Sequence, residues 1–146
     1  MSWSGGSVDE GERTARMSAV VVGYVPSPEG RAALSKGIEE ARFRGARLVV
    51  VNTTRGDALV DERYLAEGAV AELRAELAAL DVEAELRQAS DGQDVADDLD
   101  RIAGEVDAEL VVIGLRRRTP VGKLILGSAA SRILLTVHHP VMAVKA

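Results

Sequence analysis

The stretch Leu110-Val111-Val112-Ile113-Gly114 continues as Leu115-Arg116-Arg117-Arg118-Thr119-Pro120-Val121-Gly122-Lys123-Leu124-Ile125-Leu126-Gly127-Ser128. Its opening is a continuous aliphatic run rich in β-branched residues. Such a run suits a strand buried on both faces, as in a parallel sheet. A long basic, glycine-bearing loop follows it instead of a tight hairpin. Gly127-Ser128 then opens a helix carrying Ala129, Ala130, Ile133, Leu134 and Val137. Pro140 closes that helix, and Val141 to Val144 form a short last strand.

The same grammar recurs upstream. Ala19-Val20-Val21-Val22 ends at Gly23, and Leu48-Val49-Val50-Val51 is a second buried run. Between them, Ser27-Pro28-Glu29 reads as N-cap, first helical residue and acidic first turn. Ala33, Leu34, Ile38 and Ala41 keep helical spacing, and Gly45 is placed to end that helix. Residues 54–61 read as a polar loop. Ala66, Ala69, Val70, Leu73, Leu77 and Leu80 mark a second amphipathic helix. Val82, Ala84 and Leu86 alternate with charged residues, which predicts a half-exposed edge strand. Asp91-Gly92 marks a turn. Val95, Leu99, Ile102, Ala103 and Val106 form the stripe of a third helix. Strands alternate with helices throughout, so the fold class is α/β, a doubly wound five-stranded parallel sheet with helices on both faces.

The 146 residues suit one domain. Residues 1–16 are polar and Gly/Ser-rich and are expected to be a disordered tail, leaving a domain over 17–146. Met17 opens the first strand region and is an alternative start to Met1. No apolar run approaches ~18 residues, so no membrane association is expected. The tail lacks the apolar stretch of a signal peptide, which predicts a cytoplasmic protein. The chain has no cysteine, so disulfides, thiolate nucleophiles and Cys-type zinc sites are excluded. A formal charge of −5 argues against a nucleic-acid partner.

Open parallel sheets take ligands beyond the carboxyl ends of their strands, where the strand order reverses. In the order 3-2-1-4-5 the first and fourth strands are neighbours, and the loops after Gly23 and Gly114 face one crevice. Gly114, Gly122 and Gly127 allow close backbone approach. Ser128 lies at a helix start, where free N–H groups favour an anion. Arg116, Arg117, Arg118 and Lys123 add positive charge. A phosphate site and a solvated basic loop both fit this composition. A Walker A loop needs glycine where Arg117 stands, and no GxGxxG follows either strand. Tyr24 either stacks on a base or covers the sheet end.

The run VVIGLRRRTPVGKLILGSAASRILLTVHHPVMAVK resembles the C-terminal half of the universal stress proteins, and VVVGYVPSPEGRAAL resembles their opening strand and helix. Nucleotide-binding members carry Gly, two residues, Gly, nine residues, then Gly-Ser or Gly-Thr. Gly114, Gly127 and Ser128 match that spacing. Arg117 stands at the middle glycine, and Val25 stands where such members often carry an aspartate. The resemblance implies a flavodoxin-like sheet and a homodimer paired through the C-terminal strand. It also implies ATP or a related adenine nucleotide, with Mg, bound between strands 1 and 4. Phosphates would lie at Gly127, Ser128 and Ala129 and the base near Thr53, with Tyr24, Val25, Gly114, Arg117 and Gly122 around them. The function implied is a nucleotide-responsive stress or signalling protein with an unknown protein partner. The alternative is a dimeric interaction module that no longer binds nucleotide.

Nothing in the sequence resembles a catalytic acid–base pair, so the protein is expected not to be an enzyme, with at most a weak incidental ATPase activity. His138-His139 reads as structural, because adjacent positions do not converge on one metal. Asp94, Asp97, Asp98 and Asp100 read as a solvated helix face, with Asp97 paired to Arg101.

Overall fold

The computed structural model describes residues 17–53, 60–89, 94–116 and 127–146, without the side chains of 60–67. The predicted tail, residues 54–59 of the predicted polar loop, the Asp91-Gly92 turn, and the basic loop from Arg117 through Gly122 to Leu126 lie outside the described residues.

Among the described residues, five strands form one parallel sheet: β1 (Ala19–Tyr24), β2 (Arg47–Asn52), β3 (Ala84–Gln88), β4 (Ala108–Leu115) and β5 (Val141–Lys145). Their spatial order is β3-β2-β1-β4-β5, with every neighbouring pair parallel. The helices are α1 (Pro28–Arg44), α2 (Val60–Ala78), α3 (Val95–Glu105) and α4 (Ser128–Thr136). The parallel sheet expected from the alternating runs is present, in the flavodoxin-like order 3-2-1-4-5.

Strand parity divides the core in two. Val21, Val49, Val51, Val111 and Ile113 face α3 and α4 and pack on Leu99, Ile102 and Ile133. Val20, Val22, Leu48, Val50 and Val112 face α1 and α2 and pack on Leu34, Leu73 and Leu77. The central valines are fully buried, as strands covered on both faces must be. Gly37 of α1 rides directly over Val22, where a Cβ would strike that side chain.

The end of α1 follows its sequence signals. Ser27 Oγ accepts from the Gly30 N–H at 3.1 Å, and Gly45 adopts the left-handed conformation at φ 62°. Asp94 caps α3 by accepting from the Ala96 N–H at 2.8 Å.

Several expectations need correction. The third strand begins at Ala84, because its pairing with β2 starts at Leu48↔Ala84 and leaves Val82 outside the ladder. Residues 60 and 61, expected in a loop, already belong to α2. Leu134, among the apolar residues read on the last helix, is exposed, as is Leu135. α4 buries Ile133, and Val137 at its end is buried too.

The aspartates of α3 are not one solvated face. Asp98 is fully buried, and Arg101 bonds Asp98 at 3.2 Å and Glu105 at 2.9 Å, not Asp97. Asp100 accepts the His138 backbone N–H at 3.0 Å and lies 3.1 Å from His138 Nδ1. The structural reading of His138 therefore acquires a partner: it ties the segment after α4 to α3. Among the described residues, no group of three metal-ligating side chains converges and no helix is long and apolar enough to cross a membrane.

Candidate functional site

The carboxyl ends of β1 and β4 diverge toward different helices, and a cavity of about 330 Å³ opens between them. That volume falls within the ~300–1,000 Å³ typical of small-molecule sites. Its floor is apolar, made by Val95, Leu99, Ile113 and Ile133. Gly23, at the end of β1, keeps the floor open. A Cβ there would touch Leu99 and Ile113 side chains, each at 3.3 Å.

The start of α4 forms one wall. Gly127 is its N-cap and supplies no side-chain hydrogen bond, and the first turn carries no acidic residue. Among the described residues, the Ser131 N–H is the first to close a helical bond, to the Gly127 carbonyl at 3.0 Å. The N–H groups of Ser128, Ala129 and Ala130 precede it and have no intrahelical acceptor. All three residues line the cavity. These donors lie with the positive end of the helix dipole beside the cavity, which suits an anion. The starts of α3 and α4 are held together by Arg132 Nη2 and Asp94 Oδ2 at 2.7 Å.

Thr53 lines the opposite side. Its N–H and its hydroxyl both donate to the Tyr24 carbonyl, at 2.9 and 3.0 Å. With its proton so engaged, the hydroxyl oxygen has acceptor capacity left for a ligand donor.

Gly114 lines the cavity and also has a packing task. A Cβ there would collide with the Glu29 carbonyl, so this glycine lets β4 touch the first turn of α1. Gly30, one residue on from Glu29, instead leaves room for the Val25 carbonyl in the segment that joins β1 to α1. Backbone contact without side chains thus fixes α1 against β4.

Glu29 and Arg116 complete the wall. Arg116 Nε donates to Glu29 Oε1 at 3.0 Å, and the Glu29 side chain is 13% exposed. The residue's own backbone N–H holds the Glu29 carboxyl below the usual carboxylate range. Arg116 and the Ser27 hydroxyl add to this, against the opposing effect of burial.

The structure therefore brings Val25, Thr53, Gly114, Gly127, Ser128 and Ala129 to one cavity. Tyr24 is not in that lining. Its side chain packs on the opposite face, with the Val20, Val22 and Leu34 cluster. Arg117 and Gly122 lie outside the described residues. Sequence reasoning missed the apolar floor and the Glu29–Arg116 pair. Glu29 was visible as a first-turn acid, but nothing local links it to a residue 87 positions away.

An open doubly wound sheet with a ligand-sized crevice at its switch point is the arrangement in which α/β proteins commonly take small ligands. Comparison with known proteins narrows this further. The family model described as the universal stress protein family matches residues 17–145, and the chain belongs to that family. It is 49% identical over 126 residues to a universal stress protein of Mycolicibacterium smegmatis, covering 86% of this chain and 96% of that one. The universal stress protein of Archaeoglobus fulgidus, solved in complex with dAMP, is 30% identical with a TM-score of 0.64. The match covers 88% of this chain and 98% of that one. A universal stress protein solved in complex with cAMP is 26% identical, also with a TM-score of 0.64, over 88% of this chain and 97% of that one.

Proposed function

We propose that this chain is a nucleotide-responsive stress or signalling protein that binds ATP or a related adenine nucleotide in the crevice between β1 and β4. The observation that carries the reading is the start of α4: three cavity-lining residues whose N–H groups lack helical partners, unscreened by any first-turn acid. Phosphate oxygens satisfy such donors directly. The apolar floor of Val95, Leu99, Ile113 and Ile133 offers a surface for a base, and the Thr53 oxygen an acceptor for an amine or hydroxyl. The dAMP and cAMP complexes of two relatives support the adenine. Magnesium would arrive with ATP, held chiefly by the phosphates.

The reading assigns no catalytic residue: binding, not turnover, is the output. It places the protein in the cytoplasm, where adenine nucleotides are available.

A homodimer through β5 belongs to the same proposal. β5 is the sheet edge beyond β4, and its outer backbone groups offer a ladder to a second copy. Leu134 and Leu135, exposed on α4, supply apolar surface on the element preceding that edge. A dimer keeps the second reading, an interaction module, open to the same experiment.

Calorimetric titration with AMP and with ATP plus Mg²⁺ tests the proposal. Saturable heat with an adenine nucleotide, reduced by Ser128→Pro at the helix start, is the expected result. Silence at millimolar nucleotide from a folded dimer would leave the interaction-module reading instead.

A further inference from the structure

Among the described residues lining the cavity, Glu29 is the single acidic side chain and Arg116 the single basic one. They are paired at 3.0 Å. Glu29 is largely withdrawn into the wall, while Arg116 is 63% exposed at the mouth. The carboxyl stays ionised at neutral pH, since its own backbone N–H, Arg116 and Ser27 all favour the charged form. An ionised carboxylate accepts hydrogen bonds and donates none. It therefore offers nothing to a phosphate oxygen.

Arg116 is the group a phosphate would recruit, because guanidinium matches phosphate geometry. Each such recruitment draws on the cation that neutralises Glu29. A poorly solvated carboxylate left without its partner is costly, and its repulsion of the ligand rises with the ligand's negative charge. A triphosphate meets more of that repulsion than a monophosphate. A neutral nucleoside meets none.

We propose that the Glu29–Arg116 pair sets the charge class of the ligand, so that the cavity prefers an adenine nucleotide with a single phosphate over a triphosphate. This rests on the nucleotide reading above and names its ligand class.

The test is a matrix of affinities: adenosine, AMP, cAMP and ATP without and with Mg²⁺, against the natural protein, Glu29→Gln, Glu29→Asp and Arg116→Gln. Glu29→Gln is expected to tighten ATP relative to AMP by about fivefold, an effect of rim-charge size. The gain should shrink as salt rises. Glu29→Asp keeps the charge and the natural preference, and guards against a folding defect in the first variant. Arg116→Gln should weaken AMP and ATP and leave adenosine unchanged. Equal shifts for AMP and ATP in Glu29→Gln would overturn charge selection while the nucleotide reading stands. No binding by any variant would remove the nucleotide reading, and this inference with it.

Discussion

Gly23 and Tyr24 are neighbours at the end of β1, and the sheet sends them to opposite faces with opposite results. On the face of α1 and α2, Tyr24 covers the end of the core cluster beneath it. On the face of α3 and α4, Gly23 contributes no side chain, and the space above Leu99 and Ile113 stays open as the cavity. The same contrast runs through the helix starts. α1 is sealed by the Ser27 cap and by backbone contact at Gly30 and Gly114. α4 begins without a side-chain cap, and its first residues line the cavity. One face is full and the other keeps a cavity.

The largest test of that contrast is a pair of core truncations. Leu48→Ala on the filled face leaves a dry void and is expected to cost near the top of the usual ~2–5 kcal/mol range. Leu99→Ala, at the cavity floor, opens its void onto an existing crevice that water enters, and should cost near the bottom of that range. Denaturant midpoints of the two variants measure this. Equal costs would break the comparison.

A smaller pair separates stability from binding. Gly114→Ala drives a Cβ into the Glu29 backbone carbonyl and should destabilise by about 1–3 kcal/mol. Gly23→Ala meets only the ends of Leu99 and Ile113 side chains, which can give way. It should cost under ~1 kcal/mol, an ordinary small-substitution effect, yet narrow the cavity. Thermal melts and AMP affinity measured together would show loss of binding without loss of fold for Gly23→Ala.

The smallest effect lies at the far end of the open face, where Asp100 holds the segment after α4. The His138 backbone N–H, and then its imidazole, keep the Asp100 carboxyl below its usual range, against a smaller effect of burial. A depressed folded-state value stabilises above the unfolded pKa of ~3.9 and is lost as pH falls through the folded value. Asp100→Asn should therefore lower stability at neutral pH by under ~1 kcal/mol for so exposed a partner. The difference from the natural protein should fade as pH drops below about 4. A pH-independent difference would mean that shape, not charge, makes this tie.

The fold was legible because buried parallel strands write themselves as unbroken aliphatic runs. β1, β2 and β4 each announced themselves that way, while β3, at an edge, shifted by two residues because edge pairing depends on a neighbour. The site was legible where it coincides with strand ends and helix starts: Val25, Thr53, Gly114, Gly127 and Ser128 gather because the topology gathers them. Tyr24 was left with two readings because parity shows which strand residues share a face but not which face opens. Glu29–Arg116 and the buried Asp98 were illegible for one reason. Both depend on which distant surfaces meet, and a charge run looks the same whether it meets water or protein.

The most direct measurement is an amide NMR titration of the natural protein with AMP. Saturable shifts centred on Thr53, Gly114, Gly127, Ser128 and Ala129, with the α1–α2 face unchanged, are predicted. Shifts confined to the β5 edge, or none at millimolar AMP, would contradict the claim that the open face is a nucleotide site.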